Sequence, residues 1–298
     1  MSLDLPVNPP CAPTPGRDGA GSPAHELETA RLVQQHLFPR NLPCVPGWDW
    51  AGLCRPARAV AGDYYDLFEA APGQVAVALG DVSGKGLGPA LIMASLHALV
   101  RSRLPHYLAD LPSLVAELDR YLRAVTPEAM FVTLFLGVLH VRTGRLRYVN
   151  AGHPAPFLVA GQGREPHRLS VGGTVLGILP GASWEEGAAD QGRGSVLALF
   201  SDGVSDADNG SGGRFGEGRV GAVVRASGAL PAAAVLKRLL AAVTRFIGPA
   251  EPADDLSLVV IRRQSEASER RGRGDASQGH NRQGGRALPF VSASCVRG

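Results

Sequence analysis

Apolar and polar positions follow two rhythms along this chain, one helical and one of short strand-like runs. Residues 1–23 carry Pro, Gly and Ser with few large apolar side chains, too little to offset the entropy of ordering, and are expected to be disordered. In AHELETARLVQQHLFPR, Leu27, Ala30, Val33 and Leu37 recur at steps of three and four, a helical stripe that Pro39 ends. Such a stripe packs on its own domain or pairs with a partner, so a homodimer through the 25–38 helix is its alternative use.

From about residue 44 the apolar runs shorten and are separated by Gly, Pro and Asp. VAVALG at 75–80 reads as a buried strand, and GKGLGPALIMASLHALVRSRL, apolar nearly all round, as a buried helix. Residues 113–124 form an amphipathic helix with Leu114, Leu118 and Leu122 on one face and Pro112 suited to its first turn. MFVTLFLGVLHV, the turn RTGR and LRYVNAGH predict a hairpin, with PFLVA as the next strand. Between 161 and 194 only VLGIL at 175–179 reads as ordered; VLALF at 196–200 is a strand, 231–247 a helix and LSLVVIRR at 256–263 a final strand. The expected organisation is a disordered segment 1–23, a linker helix 24–40, one domain 41–264 and a disordered tail 265–298. Clustered strands flanking paired helices, without βαβ alternation, place the domain in the α+β class as a layered sandwich of mostly antiparallel sheets.

Composition narrows the function. The 298 residues are 45% hydrophobic and 19% charged, enough apolar material for one large core. Much of the net charge of +3 sits in the last 40 residues, so the body is near neutral and offers no nucleic-acid surface. Cys11, Cys44, Cys54 and Cys295 are scattered, which suggests neither a disulfide framework nor a zinc site, and reduced thiols are expected. The start lacks a leader pattern and no run approaches the roughly 18 apolar residues of a membrane span, so the expected location is cytoplasmic, with no membrane partner. No dinucleotide or Walker loop stands in its required context, and the Gly-Lys-Gly at 84–86 lacks the following Ser or Thr.

Four segments carry the chemistry: GDYYD at 62–66, GDVSGKG at 80–86, SDGVSDAD at 201–208 and DDLSLVV at 254–260. Asp81 follows VAVALG, Asp202 follows VLALFS, and Asp254 and Asp255 precede LSLVVI. If the last strand runs antiparallel to the other two, these carboxylates meet at one edge of the sheets. Crowded, partly buried anions call for cations or raised pKa values. With only oxygen ligands on offer, Mg²⁺ or Mn²⁺ is the expected occupant, and two such ions about 4 Å apart suit phosphate-ester hydrolysis. Each dipeptide alone is an ordinary turn former; the set, each member bordering an apolar strand, is hard to read as turns.

The order GDYYD, DVSGKGLGPALIMA, MFVTLFLGVL with LRYVNAGHPAP, LFSDGVSDA and DDLSLVVI resembles the SpoIIE-type branch of the metal-dependent protein phosphatases (PPM, protein phosphatase 2C-like), over roughly residues 25–263. The resemblance implies a four-layer α-β-β-α sandwich of two mostly antiparallel sheets with a two-ion Mn²⁺ or Mg²⁺ centre between them. It also implies metal ligands at Asp63, Asp81, Asp202 and Asp254, with Asp81 bridging, a backbone carbonyl from Val82, and Asp255 as the adjacent carboxylate. Asp66 and Asp206 then act beside the ligands or on a weaker metal, against turn or capping roles. The sequence departs from the pattern at Ala59 and Ala61, at Lys85 where many relatives carry histidine, and at Asp206 where glutamate is commoner.

Arg58 is a candidate for binding the substrate phosphate, against a plain surface arginine. His153 is a candidate base, against a satisfied histidine in a structural turn. The resemblance implies a serine/threonine phosphatase acting on a phosphorylated protein, typically an anti-anti-sigma factor of the STAS type. The rivals are a catalytically silent binding module of the same fold and a hydrolase of small phosphates.

Overall fold

Strands buried on both faces have to be covered twice, and that requirement sets the layers of this domain. The structure, a computed structural model, describes residues 22–127, 129–161, 163–265 and 290–294. In chain order the elements are α1 (Pro23–Gln35), β1 (Trp48–Arg55), β2 (Tyr64–Ala71), β3 (Gln74–Val82), α2 (Leu87–Arg103), a 3₁₀ turn (Leu104–His106), α3 (Leu111–Val125), β4 (Val132–His140) and β5 (Arg145–Ala151). There follow β6 (Phe157–Val159), β7 (His167–Arg168), β8 (Gly172–Gly173), β9 (Gly187–Asp190), β10 (Val196–Phe200), α4 (Asp202–Ser205), α5 (Glu217–Ala226), α6 (Ala232–Ile247), β11 (Leu256–Arg263) and β12 (Phe290–Ser294).

One sheet has the order β12-β1-β11-β10-β6-β7, and the other β2-β3-β4-β5-β8 with β9 also on β5. Among the described residues every strand pairing is antiparallel except β5 with β8. Helices α2 and α3 pack on the second sheet, and α5 and α6 on the first. Trp48, Trp50, Val259 and Ile261 join the core that the second sheet shares with α2 and α3, whereas Ala51, Leu53, Leu258 and Val260 join the core under α6. This is the expected four-layer α+β sandwich. The predicted stripe Leu114, Leu118, Leu122 is buried, and Asp110 caps α3 by accepting the Ser113 N–H at 3.1 Å.

Several local expectations change. Strands β1 and β2, which no apolar run marks in the sequence, carry Asp49, Gly52 and Asp66, whose places are explained by contacts with distant residues. Asp49 accepts the Ala232 N–H at 2.6 Å, at the start of α6. Gly52 has no side chain because a Cβ there would lie 2.4 Å from the Tyr65 ring. Asp66, fully buried, accepts a two-pronged grip from Arg101 of α2, Nε to Oδ2 at 2.6 Å and Nη2 to Oδ1 at 2.7 Å. VLGIL, read as ordered, joins the structure through a single bridge from Leu176 to Val132. Helix α5 had no clear signal. On α1 the buried seam is shifted by one: Gln34 is buried while Val33 is 60% exposed.

The expectation for residues 1–21 lies outside the described residues, as does most of the 265–298 tail. Within that tail, however, residues 290–294 pair with β1 as an edge strand, so it is not structureless throughout. Cys54 is buried and free, whereas Cys44 is disulfide-bonded, which departs from the reading of four reduced thiols. Among the described residues no helix is long and apolar enough to cross a membrane.

Asp66→Asn removes one arm of the grip that ties β2 to α2. Because Arg101 is 40% exposed, the loss is smaller than for a fully buried pair. It is expected at roughly 2 kcal/mol, read from the midpoint of a urea unfolding curve.

Candidate functional site

The loop from β1 to β2 ends in Gly62 and Asp63, and a carboxylate from across the first sheet braces it. Asp255, one residue before β11, accepts the Ala57 N–H at 2.7 Å on Oδ1, and the Gly62 N–H at 2.7 Å and Asp63 N–H at 3.5 Å on Oδ2. Its own carbonyl accepts the Ser201 hydroxyl at 3.2 Å, and the Ser201 oxygen accepts the Ser257 N–H at 3.1 Å. Two glycines allow the remaining approach. A Cβ on Gly62 would lie 3.0 Å from the Val82 carbonyl and 3.8 Å from Asp81 Oδ1, and one on Gly203 only 2.0 Å from the Asp255 carbonyl. The Gly-Asp and Asp-Gly pairs are therefore close-packing requirements as well as turns.

Asp63, Asp81, Asp202 and Asp254 come together here, near enough to disturb one another. Burial pushes Asp63 well above the usual carboxylate range, Asp81 and Asp255 add to it, and the Ser257 and Ser201 hydroxyls oppose weakly. Asp63 Oδ2 is nonetheless buried without a hydrogen-bond partner. Asp81 is raised to about 7, by burial first and then by Asp202, Asp254 and Asp255. Asp202 is raised by burial, Asp254 and Asp206, and Asp255 by burial in spite of its backbone donors. Lys85 Nζ lies 2.9 Å from Asp254 Oδ2 and also donates to the Ala253 carbonyl.

An all-oxygen donor set with an orphaned buried carboxylate oxygen fits a hard divalent cation. As they stand, no three His, Cys, Asp or Glu side chains among the described residues form a ready-made cage. Lys85 is paired with Asp254, and backbone amides occupy the Asp255 carboxylate.

The other named residues separate clearly. Val82 ends β3 with its carbonyl beside Gly62. Arg58 is exposed on the braced loop, next to Ala57, with no hydrogen bond or ion pair among the described residues. Asp66 is not at this site; it serves the β2–α2 contact. Asp206 pairs with Arg214 at 3.0 Å on the surface. His153 is buried with Nδ1 2.8 Å from the Thr133 hydroxyl, and burial pushes it down to about 3, so it is a neutral structural group. The sequence marks Lys85 only as a departure from the family pattern, without a role, and does not mark Gln34. A lysine between glycines beside an acidic motif is a signal for the first; nothing local marks the second.

The family model described as Stage II sporulation protein E (SpoIIE) matches residues 71–264. The chain belongs to the SpoIIE family. Over 208 residues it is 32% identical to Protein IcfG of Synechocystis sp., covering 61% of this chain and 33% of that protein. Over 181 residues it is 28% identical to phosphoserine phosphatase RsbU of Bacillus subtilis, covering 61% of this chain and 53% of that protein. This SpoIIE-family chain thus spans between a third and about half of the length of these relatives. The SiaA-PP2C domain of Pseudomonas aeruginosa superposes with a TM-score of 0.68 at 21% identity, covering 80% of this chain and 96% of that one, which shows a PP2C-like fold.

The raised Asp81 implies a pH effect with a definite sign. A carboxyl whose folded pKa is about 7 favours folding while protonated, so the metal-free protein loses stability as pH rises from near 4 through 7. Asp81→Asn is expected to raise the thermal midpoint of metal-free protein at pH 8 and to abolish the further rise on adding Mn²⁺, both measurable by scanning calorimetry.

Proposed function

We propose that this protein is a Mn²⁺- or Mg²⁺-dependent protein serine/threonine phosphatase. The observation that carries the reading is the meeting of Asp63, Asp81, Asp202 and Asp254 from four separated segments, with Asp63 Oδ2 buried and unpartnered. PP2C-like proteins as a family are metal-dependent. In this reading Asp63, Asp81, Asp202, Asp254 and the Val82 carbonyl would hold two ions. Ions held there would supply Lewis acidity toward phosphoryl oxygens and would lower the pKa of a water.

The chain's own groups do the rest. Asp255 keeps the Ala57–Asp63 loop in place and Ser201 keeps Asp255 in place. Exposed Arg58 on the same loop is the cation available to a phosphate. Lys85, paired with Asp254, is a second positive charge at the site. Membership of the SpoIIE family and the likeness to phosphoserine phosphatase RsbU favour a phosphoserine or phosphothreonine on a regulatory protein, with an anti-anti-sigma factor of the STAS type as the specific proposal.

Hydrolysis of p-nitrophenyl phosphate is expected to require added Mn²⁺ or Mg²⁺ and to fall at least 100-fold in Asp81→Asn and Asp202→Asn, an order-of-magnitude expectation for losing a ligand of a catalytic metal, roughly 3 kcal/mol. Turnover in chelator would overturn the mechanism. Binding of a phosphoprotein without turnover would favour the silent module instead.

Removing the Arg58 guanidinium separates phosphate binding from metal binding. Arg58→Ala is expected to raise KM for p-nitrophenyl phosphate about fivefold to tenfold, the scale of one exposed charged contact, and to leave the Mn²⁺ dependence unchanged. Unchanged steady-state constants would return Arg58 to the solvent.

A further inference from the structure

The docking seam of α1 contains one residue that apolar packing does not explain. Leu27 and Ala30 are half-buried, Phe38 just beyond the helix is buried and stacks on Tyr65 at 5.3 Å, and between them Gln34 is buried at 6% exposure. A buried amide is costly unless its donor and acceptor are both used. Here both are, and on one residue: Gln34 Nε2 donates to the Ala61 carbonyl at 2.8 Å and Gln34 Oε1 accepts the Ala61 N–H at 2.8 Å. The side chain acts as a one-residue strand partner for a loop peptide that belongs to neither sheet.

That peptide lies two residues before Asp63. Ala61 is fully buried, and Gly62, which follows, gives its N–H to Asp255 and stands against the Val82 carbonyl and Pro89. The loop is thus held by Asp255 on one flank, backed by the end of β3 and the start of α2 on another, and gripped by Gln34 on a third. The Gln34 contact comes from α1, which covers neither core, whereas Asp255 directly precedes β11 and Val82 and Pro89 belong to β3 and α2.

We propose that Gln34 is a positioning residue that sets the metal affinity of the site by fixing the Ala61–Asp63 backbone, and that α1 is thereby a working part of the metal centre. The proposal rests on the reading of Asp63 as a metal ligand. A helix that merely docks through Gln34 would affect stability alone; a helix that positions the loop also affects the binding of the ion and the motion of residues that Gln34 does not touch.

Gln34→Met separates these, since it keeps the volume and the apolar stem and loses both hydrogen bonds. Three quantities are measured on the full chain: the Mn²⁺ dissociation constant by titration calorimetry, hydrogen exchange at the Gly62 and Asp63 amides of metal-free protein, and the thermal midpoint. The expected result is about tenfold weaker Mn²⁺ binding and about tenfold faster exchange at both amides, with a smaller loss in Gln34→Asn, whose shorter arm keeps the same groups. Val33→Ala, on the exposed side of the same helix, is expected to match the wild type in all three.

A lowered midpoint with the dissociation constant and both exchange rates within twofold of wild type would overturn the proposal. Should Gln34→Met not fold, the same comparison on Gln34→Asn decides. If wild-type protein binds no Mn²⁺, the metal reading fails by itself. The exchange rates, which need no metal, then still report whether Gln34 holds the loop.

Discussion

Four carboxylates are held close together against their own repulsion, and the surrounding architecture is arranged to sustain that. Like charges in a partly buried place lose hydration and raise each other's pKa, as Asp81 does to about 7. Such an arrangement persists only where stiffer elements overrule the local preference to separate. The stiff elements here are strands buried on both faces, whose ends deliver Asp81, Asp202 and Asp254. Asp63 stands directly before β2 and Asp254 two residues before β11, and the loop that leads to Asp63 is braced through the backbone N–H groups of Ala57, Ala61 and Gly62.

Asp255 is the joint between these parts. Its carboxylate occupies backbone N–H groups of the Ala57–Asp63 loop, and its carbonyl is tied through Ser201 to β10. Adjacent acids therefore have different partners: Asp254 pairs with Lys85, while Asp255 accepts the loop's backbone N–H groups and also lies near Asp63 and Asp81. The site lies where the two sheets meet, so its geometry depends on how the sheets stack and not on either sheet alone. Helix α1 adds a contact from outside that stack, through one buried glutamine.

The runs VAVALG, VLALF and LSLVVIRR and the hairpin of β4 and β5 were legible because a strand buried on both sides must be apolar at nearly every position. Strands β1 and β2 were not, since each contains polar or missing side chains whose reason is remote. Asp49 caps α6, Gly52 makes room for Tyr65, and Asp66 holds Arg101. The shifted seam of α1 has the same origin. Periodicity selects Val33, but a loop peptide in need of a donor and an acceptor selects Gln34.

By itself the sequence determined the layered α+β class, the apolar strands and the set of acids placed at their ends, because burial and turn chemistry leave a local trace in residue order. Only the tertiary structure decided which acid faces its fellows and which serves the backbone, that Asp66 belongs to another contact, that His153 is neutral and structural, and that Lys85 and Gln34 reach the site. Those outcomes depend on hydrogen bonds and charges between residues far apart in the chain. Spacing along the sequence carries no information about which pairs will meet.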